Sequence, residues 1–241
     1  MKHRRRTALF IGLILFLVSA IPLFIMGREL FTGWQIDRQY SINHVYSEQG
    51  FPSIIDTQEI EVNGVHIEII EEPTGKKASL TPWDEDEGVE AGDIVKIYLL
   101  IDGREVTSPD EIWLSNRNRG SRYYSWLDIL TVNEQIAIVQ RLTDDDAKMD
   151  ERQWKIIWID EKGDAFEEVI SYQTRSENPL AVRLIGFSGT ALMAMGYYSD
   201  LLMGYPSVFF PILYPILTGV VGILLCIMFF IQYKRYAKLG T

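Results

Sequence analysis

Residues 208–231 read VFFPILYPILTGVVGILLCIMFFI, 24 positions without a charge. Residues 8–26 read ALFIGLILFLVSAIPLFIM, another 19. At 1.5 Å per helical residue the two runs span ~36 and ~29 Å, against a hydrocarbon core of ~30 Å. Both are long enough to cross a bilayer, and core helices of soluble proteins rarely run so far without a charge. The decisive expectation is therefore a chain anchored at each end, with transmembrane helices over 8–26 and 207–231.

The charges between and around these runs are segregated. Residues 1–7 carry Lys2, Arg4, Arg5 and Arg6, and residues 232–241 carry Lys234, Arg235 and Lys238, with no acid in either. All 33 acidic residues lie within 28–205, against 16 basic ones, a formal charge of −17 for the middle. Positive flanks are retained in the cytoplasm. The expected topology is a two-pass protein of the cell membrane, both termini cytoplasmic, with residues 27–206 extracytoplasmic. The alternative for the N-terminus is a cleaved signal peptide, with Val18-Ser19-Ala20 as the candidate cleavage motif. The apolar run, however, continues six residues past Ala20 and exceeds the ~7–15 residues of a signal h-region.

Between the anchors, Gly27–Gln58 reads as a juxtamembrane tether, with Phe31, Trp34 and Tyr40 suited to the headgroup level. Residues 59–178 read as an all-β extracytoplasmic domain. Its clearest unit is Glu59-Ile-Glu-Val-Asn-Gly-Val-His-Ile-Glu-Ile69. Asn63-Gly64 is a strong two-residue turn signal, because both residues tolerate positive φ. It pairs Val62 with Val65, Glu61 with His66 and Ile60 with Ile67. The apolar side chains then share one face and Glu59, Glu61, His66 and Glu68 the other. Further strands are expected at Asp93–Ile101, at Arg104 onward, at Glu111–Ser115, at Gln135–Leu142, at Gln153–Ile159 and at Ala165–Tyr172. About eight strands at this spacing predict an antiparallel β-sandwich, immunoglobulin-like, or a barrel. Val89–Ile97 resembles the entry to an early strand of an immunoglobulin-like sandwich, over nine residues only. Residues 179–205 are apolar and small-residue rich, and are expected as a helix packed on the domain or lying at the interface. Pro206, Pro211 and Pro215 predict a bent entry to the second crossing.

Cys226 is the single cysteine and sits in the second apolar run, so the middle has no disulfide. The chain has no Asn-x-Ser/Thr acceptor either, and both features fit a bacterial envelope. Gly186-Phe-Ser-Gly-Thr190 departs from a nucleophile elbow at its last residue and follows no expected strand. No His-x-x-x-His or Cys-x-x-Cys spacing is present. No catalytic residue, metal ligand or cofactor is assigned, and the expectation is a protein that is not an enzyme. A domain at −17 repels phosphate, which disfavours nucleic acid. Neither crossing carries the charge that marks an ion path.

Two surface candidates remain. Arg117, Arg119 and Arg122 with Tyr123, Tyr124 and Trp126 form a basic-aromatic cluster suited to a partner's acidic patch or an anionic ligand. Asp84, Glu85, Asp86 and Glu87 form an acidic loop that would attract a cation, although Gly88 falls at the fifth position rather than the sixth of an EF-hand loop. The expected partners are the lipid bilayer and another membrane protein. The expected role is an accessory or scaffold subunit of the envelope, with a ligand or cation sensor as the alternative.

Overall fold

The first apolar run belongs to a helix that does not stop at Met26. The computed structural model describes residues 2–45, 58–80, 85–106, 109–114, 122–123, 125–144, 147–160, 162–190, 201 and 208–239. In it, helix α1 covers Lys2–Gln39. The first third of the expected tether is therefore helical. Residues 28–39 contain no proline and are rich in Arg, Leu, Glu and Gln, all good helix formers, so nothing ends the helix before Tyr40. Helix α3, Thr218–Leu239, is the second apolar helix. Ahead of it, Ile212–Leu217 is wound irregularly with Tyr214 extended at φ −131°, ψ 128°, as the prolines predict. Both helices are long and apolar enough to cross a membrane, over Thr7–Gln39 and Ile212–Lys234. The chain divides into two units, one of residues 1–32 with 199–241 and one of residues 33–198.

In the first unit the two helices meet along a seam with a seven-residue period. The buried positions of α1 within this unit are 12, 19, 22, 26 and 29. On the partner segment they are 215, 219 and 222, continued by the half-buried 226 and 229. Alternating steps of three and four are the spacing of left-handed coiled-coil packing. Small residues bring the backbones close: a Cβ added to Gly222 would meet Phe16 N at 2.7 Å and Gly12 O at 2.8 Å. Ser19 Oγ and Thr218 Oγ1 are hydrogen-bonded across the seam at 2.8 Å. The outward faces carry Phe10, Leu17, Ile21 and Phe24 on α1 and Val220, Leu224, Ile227 and Phe230 on α3, all exposed.

The second unit is β-rich. One antiparallel sheet has the order β1–β7–β8–β9–β10. Its strands are β1 (Ile42–His44), β7 (Leu127–Val132), β8 (Gln135–Arg141), β9 (Gln153–Ile159) and β10 (Ala165–Ser171). The other has the order β2–β3–β4–β5, with β6 also on β4. Its strands are β2 (Glu59–Val62), β3 (Val65–Lys77), β4 (Asp93–Ile101), β5 (Arg104–Glu105) and β6 (Asp110–Trp113). Neither sheet closes into a barrel. The β2–β3 hairpin has the expected register, Val62 opposite Val65 and Ile60 opposite Ile67. Its turn holds Asn63 at φ 51° and Gly64 at φ 81°, the left-handed pair that a two-residue turn demands.

One core cluster joins the sheets, with Ile67, Ile69, Ile97 and Leu99 from one and Ile129, Ile138 and Ile157 from the other. The second sheet alternates, buried and half-buried, along β4. The first sheet does not: β8 and β9 are buried at every position after the first. Its far face is covered by helix α2, Pro179–Phe187, whose Ala181, Leu184 and Ile185 pack with Leu130, Trp154 and Ile156. Asn178 caps α2 by accepting the Ala181 amide at 3.0 Å, and Pro179 occupies the first turn, where no amide is needed. The last turn of α1 joins the same unit through Asp37, which accepts two hydrogen bonds from Arg183 at 2.8 and 3.0 Å.

The stretch expected as tether thus supplies β1 as well as the end of α1. The apolar segment after residue 178 supplies a helix packed on the domain. Residues 191–200, within the segment 179–205, lie outside the described residues.

The helix seam makes a definite prediction. In a Cys226→Ala background, the Ser19→Cys, Thr218→Cys protein forms an intrachain disulfide under mild oxidation, read as a mobility shift reversed by reductant. Adding Gly222→Leu, which drives a side chain into the Phe16 backbone, abolishes it. A double-cysteine protein that stays reduced would show that the helices do not pair along this seam.

Candidate functional site

Of the basic-aromatic cluster, Arg122, Tyr123 and Trp126 are among the described residues. Arg117, Arg119 and Tyr124 lie outside the described residues. Tyr123 is fully buried and Trp126 is 5% exposed, so neither ring is presented at the surface. Both belong to the core shared by the two sheets. Arg122 is half-exposed, and its guanidinium grips Glu71 of β3 through two hydrogen bonds at 2.6 and 2.5 Å. Tyr123 donates to the same carboxylate at 2.7 Å. These bonds, Arg122's first, hold the Glu71 carboxyl below its usual range, and burial with the Glu71 bond pushes the Tyr123 phenol up. Trp126 is covered by the Arg141 guanidinium, 4.2 Å from its ring centroid, a cation–π contact. Arg122 and Tyr123 therefore hold the chain ahead of β7 onto β3, while Trp126 lies against Arg141 of β8.

The acidic loop is described only from Glu85 on, with Asp84 outside. Glu85, Asp86 and Glu87 are exposed. Among the described residues no group of three or more His, Cys, Asp or Glu side chains is placed to hold a metal ion. His66 is exposed on the hairpin, its amide donating to Asp102 at 3.0 Å.

Two buried polar clusters emerge instead, both inside the first sheet. The first centres on Asp128 of β7, with a side chain 2% exposed. It accepts the Gly189 amide at 2.6 Å and the Ile129 amide at 2.8 Å. Its Oδ2 stands 3.3 Å from Nδ1 of His44 on β1. The His44 ring stacks on Phe187 at a centroid distance of 4.6 Å. Burial pushes the Asp128 carboxyl up, opposed by these donors. Ser188, the serine of the elbow-like motif, follows a helix and is buried. Its hydroxyl donates to the Ile185 carbonyl at 2.9 Å and meets Thr190 Oγ1 at 2.7 Å. The motif thus serves as a helix end resting on Asp128.

The second cluster lies on the opposite face, between the sheets. Lys155 of β9 has a side chain 3% exposed, and its Nζ contacts Asp110 Oδ2 of β6 in the other sheet. Glu167 of β10 places Oε1 3.6 Å from the same nitrogen. Gln140 of β8 donates to Asp110 at 3.3 Å. Beside the first sheet, a shallow cleft of about 300 Å³ is lined by Tyr40, Val132, Trp158, Phe166, Glu168 and Leu180.

Neither cluster was assigned from the sequence, although each left a trace there. Asp128 and Lys155 are single charges inside otherwise apolar strands, LDILTV and QWKIIWI. A charge in such a strand has to find a partner across the core. The partner's identity is invisible, because His44 and Asp110 lie far away in the chain.

No protein-family model, curated protein or solved structure matches the chain.

The two carboxylates predict opposite pH dependences. The folded Glu71 pKa lies below its ordinary 4.5. Its contribution is present above that pH and is lost as the pH falls through the folded value. Glu71→Gln is expected to cost about 1–3 kcal/mol at neutral pH, a gap that narrows in acid. The folded Asp128 pKa lies above its ordinary 3.8, so its contribution is present below that pH and is lost as the pH rises through the folded value. The stability of Asp128→Asn relative to wild type should therefore rise with pH. Denaturant melts at acidic and neutral pH in one detergent check both signs.

Proposed function

We propose that this chain is a two-pass protein of the cell envelope that acts without catalysis. In this role an acidic β-rich domain, an open antiparallel sandwich covered by α2 on one side, is presented to a partner outside the cytoplasm. Both termini are cytoplasmic and residues 27–206 extracytoplasmic. The carrying observation is how the buried polar groups are used: Glu71, Asp128 and Lys155 each join one strand to another part of the fold. Such groups serve to fix an architecture, which is what a scaffold requires. Charge-free apolar runs flanked by basic ends support the topology. Outward faces composed of Phe, Leu, Ile and Val support burial in lipid or against another membrane protein.

The second role is a sensor coupled to a membrane partner. Asp128 supports it, because this one carboxylate holds His44, just after α1, and Gly189, just after α2. A change of charge there bears on both segments at once.

Orientation and role are tested separately. Ser79 is exposed in the described structure. In the Cys226→Ala background, Ser79→Cys is expected to react with a membrane-impermeant maleimide on intact cells. Reaction only after lysis would reverse the topology. Full-length tagged protein extracted from its native membrane in mild detergent is expected to carry a stoichiometric membrane partner, identified by mass spectrometry. A monomer or homo-oligomer alone would reject the accessory subunit in favour of the sensor.

A further inference from the structure

The cluster around Lys155 has the parts of a reaction as well as those of an ion pair. Lys155 points from the middle of β9 into the space between the sheets, where its amine is shielded from water. Asp110 reaches it from β6 of the opposite sheet. Glu167, one strand over on β10, is a second carboxylate beside the same nitrogen, at 3.6 Å. Gln140 holds the Asp110 oxygen through its side-chain amide. Every member stands on a strand, so their positions are set by the sheet hydrogen bonds: Lys155 pairs with Gln140 and Val169, and Asp110 with Ile97.

We propose that Lys155 and Asp110 condense into an intramolecular amide that ties the two sheets together covalently, with Glu167 carrying the proton. In the first step the ammonium of Lys155 passes one proton across their hydrogen bond to the Asp110 carboxylate, leaving a neutral amine and a neutral carboxylic acid. The neutral amine then attacks Asp110 Cγ through its lone pair, forming the N–C bond. Glu167 then takes one proton from the nitrogen of the tetrahedral adduct and hands it to the Asp110 hydroxyl, so that the carbonyl re-forms, the C–O bond breaks and the departing oxygen leaves as water. The sum is ammonium plus carboxylate giving a secondary amide and one water, with Glu167 regenerated as a carboxylate. No oxidant, reductant or activated co-reactant enters.

Three physical features favour the step. Fixed neighbours on strands replace a bimolecular encounter by a unimolecular one, which removes the entropic part of the barrier. Burial of the Lys155 side chain, 3% exposed, disfavours the ammonium charge that condensation eliminates. The second carboxylate supplies the acid–base function at the nitrogen that has to lose protons. The link would close the chain between residues 110 and 155, enclosing β7 and β8.

Peptide mapping and intact-mass measurement of the full-length protein, purified in detergent, test this directly. The expected result is a chain lighter than its processed sequence by one water, with a branched peptide joining the Asp110 and Lys155 fragments. Lys155→Arg is expected to remove the branch. Glu167→Gln, nearly the same in shape, is expected to keep a cooperative melting transition while losing the branch and restoring the full mass. A wild-type protein at full mass without a branched peptide overturns the proposal and leaves a buried ion pair. Water loss mapped to Asp102-Gly103, as a cyclic imide, overturns it equally. A folded Glu167→Gln protein that still forms the branch overturns the part assigned to Glu167.

Discussion

The β-rich unit depends on one constraint: the central strands of its first sheet, β7, β8 and β9, have water on neither face. The second sheet covers one side and α2 the other. A strand in that position cannot alternate apolar with polar, so β7, β8 and β9 are almost wholly buried. Any polar side chain on those strands has to be satisfied within the protein. Asp128, Gln140 and Lys155 are the consequences, each with partners brought from a different part of the chain. The layered arrangement thus explains both the composition of the strands and the location of the buried polar groups.

The parts of this fold legible in the sequence were those encoded locally. Asn63-Gly64 and Asp102-Gly103 mark turns because their left-handed conformations are needed at those residues, and both pairs have positive φ. Alternation along β2 and β3 fixed their register for the same reason. Strand β7 escaped notice because burial on both faces erases alternation. Strand β1 escaped because three residues are too few for any period, and it is held from outside by Asn133, whose side chain accepts the Ser41 amide. The helical length of α1 was underestimated because hydropathy marks where lipid ends, while helix propensity runs on through Arg28–Gln39.

Long-range chemistry was the illegible part. Tyr123 and Trp126 were read as surface groups on the strength of neighbouring arginines. Yet Glu71, which draws Arg122 and Tyr123 inward, lies some 50 positions earlier. The helix seam was likewise overlooked. Neither apolar run contains a Gly-x-x-x-Gly spacing, and close approach is achieved by Gly12 and Ser19 on one helix against Gly219 and Gly222 on the other. Seven-residue spacing on α1 combined with three-residue spacing on its partner forms no single-helix motif. It becomes visible only when the two buried stripes are compared.

Asp128 also has a geometric consequence for the second unit. The carboxylate touches His44 near the start of that unit and Gly189 near the end of its described portion. Entry and exit of the intervening chain are therefore neighbours, held by one side chain of the sheet between them. More than 140 residues depart from this point and come back to it. Within the β-rich unit the described chain thus closes into a loop of strands, knotted at its base by one carboxylate.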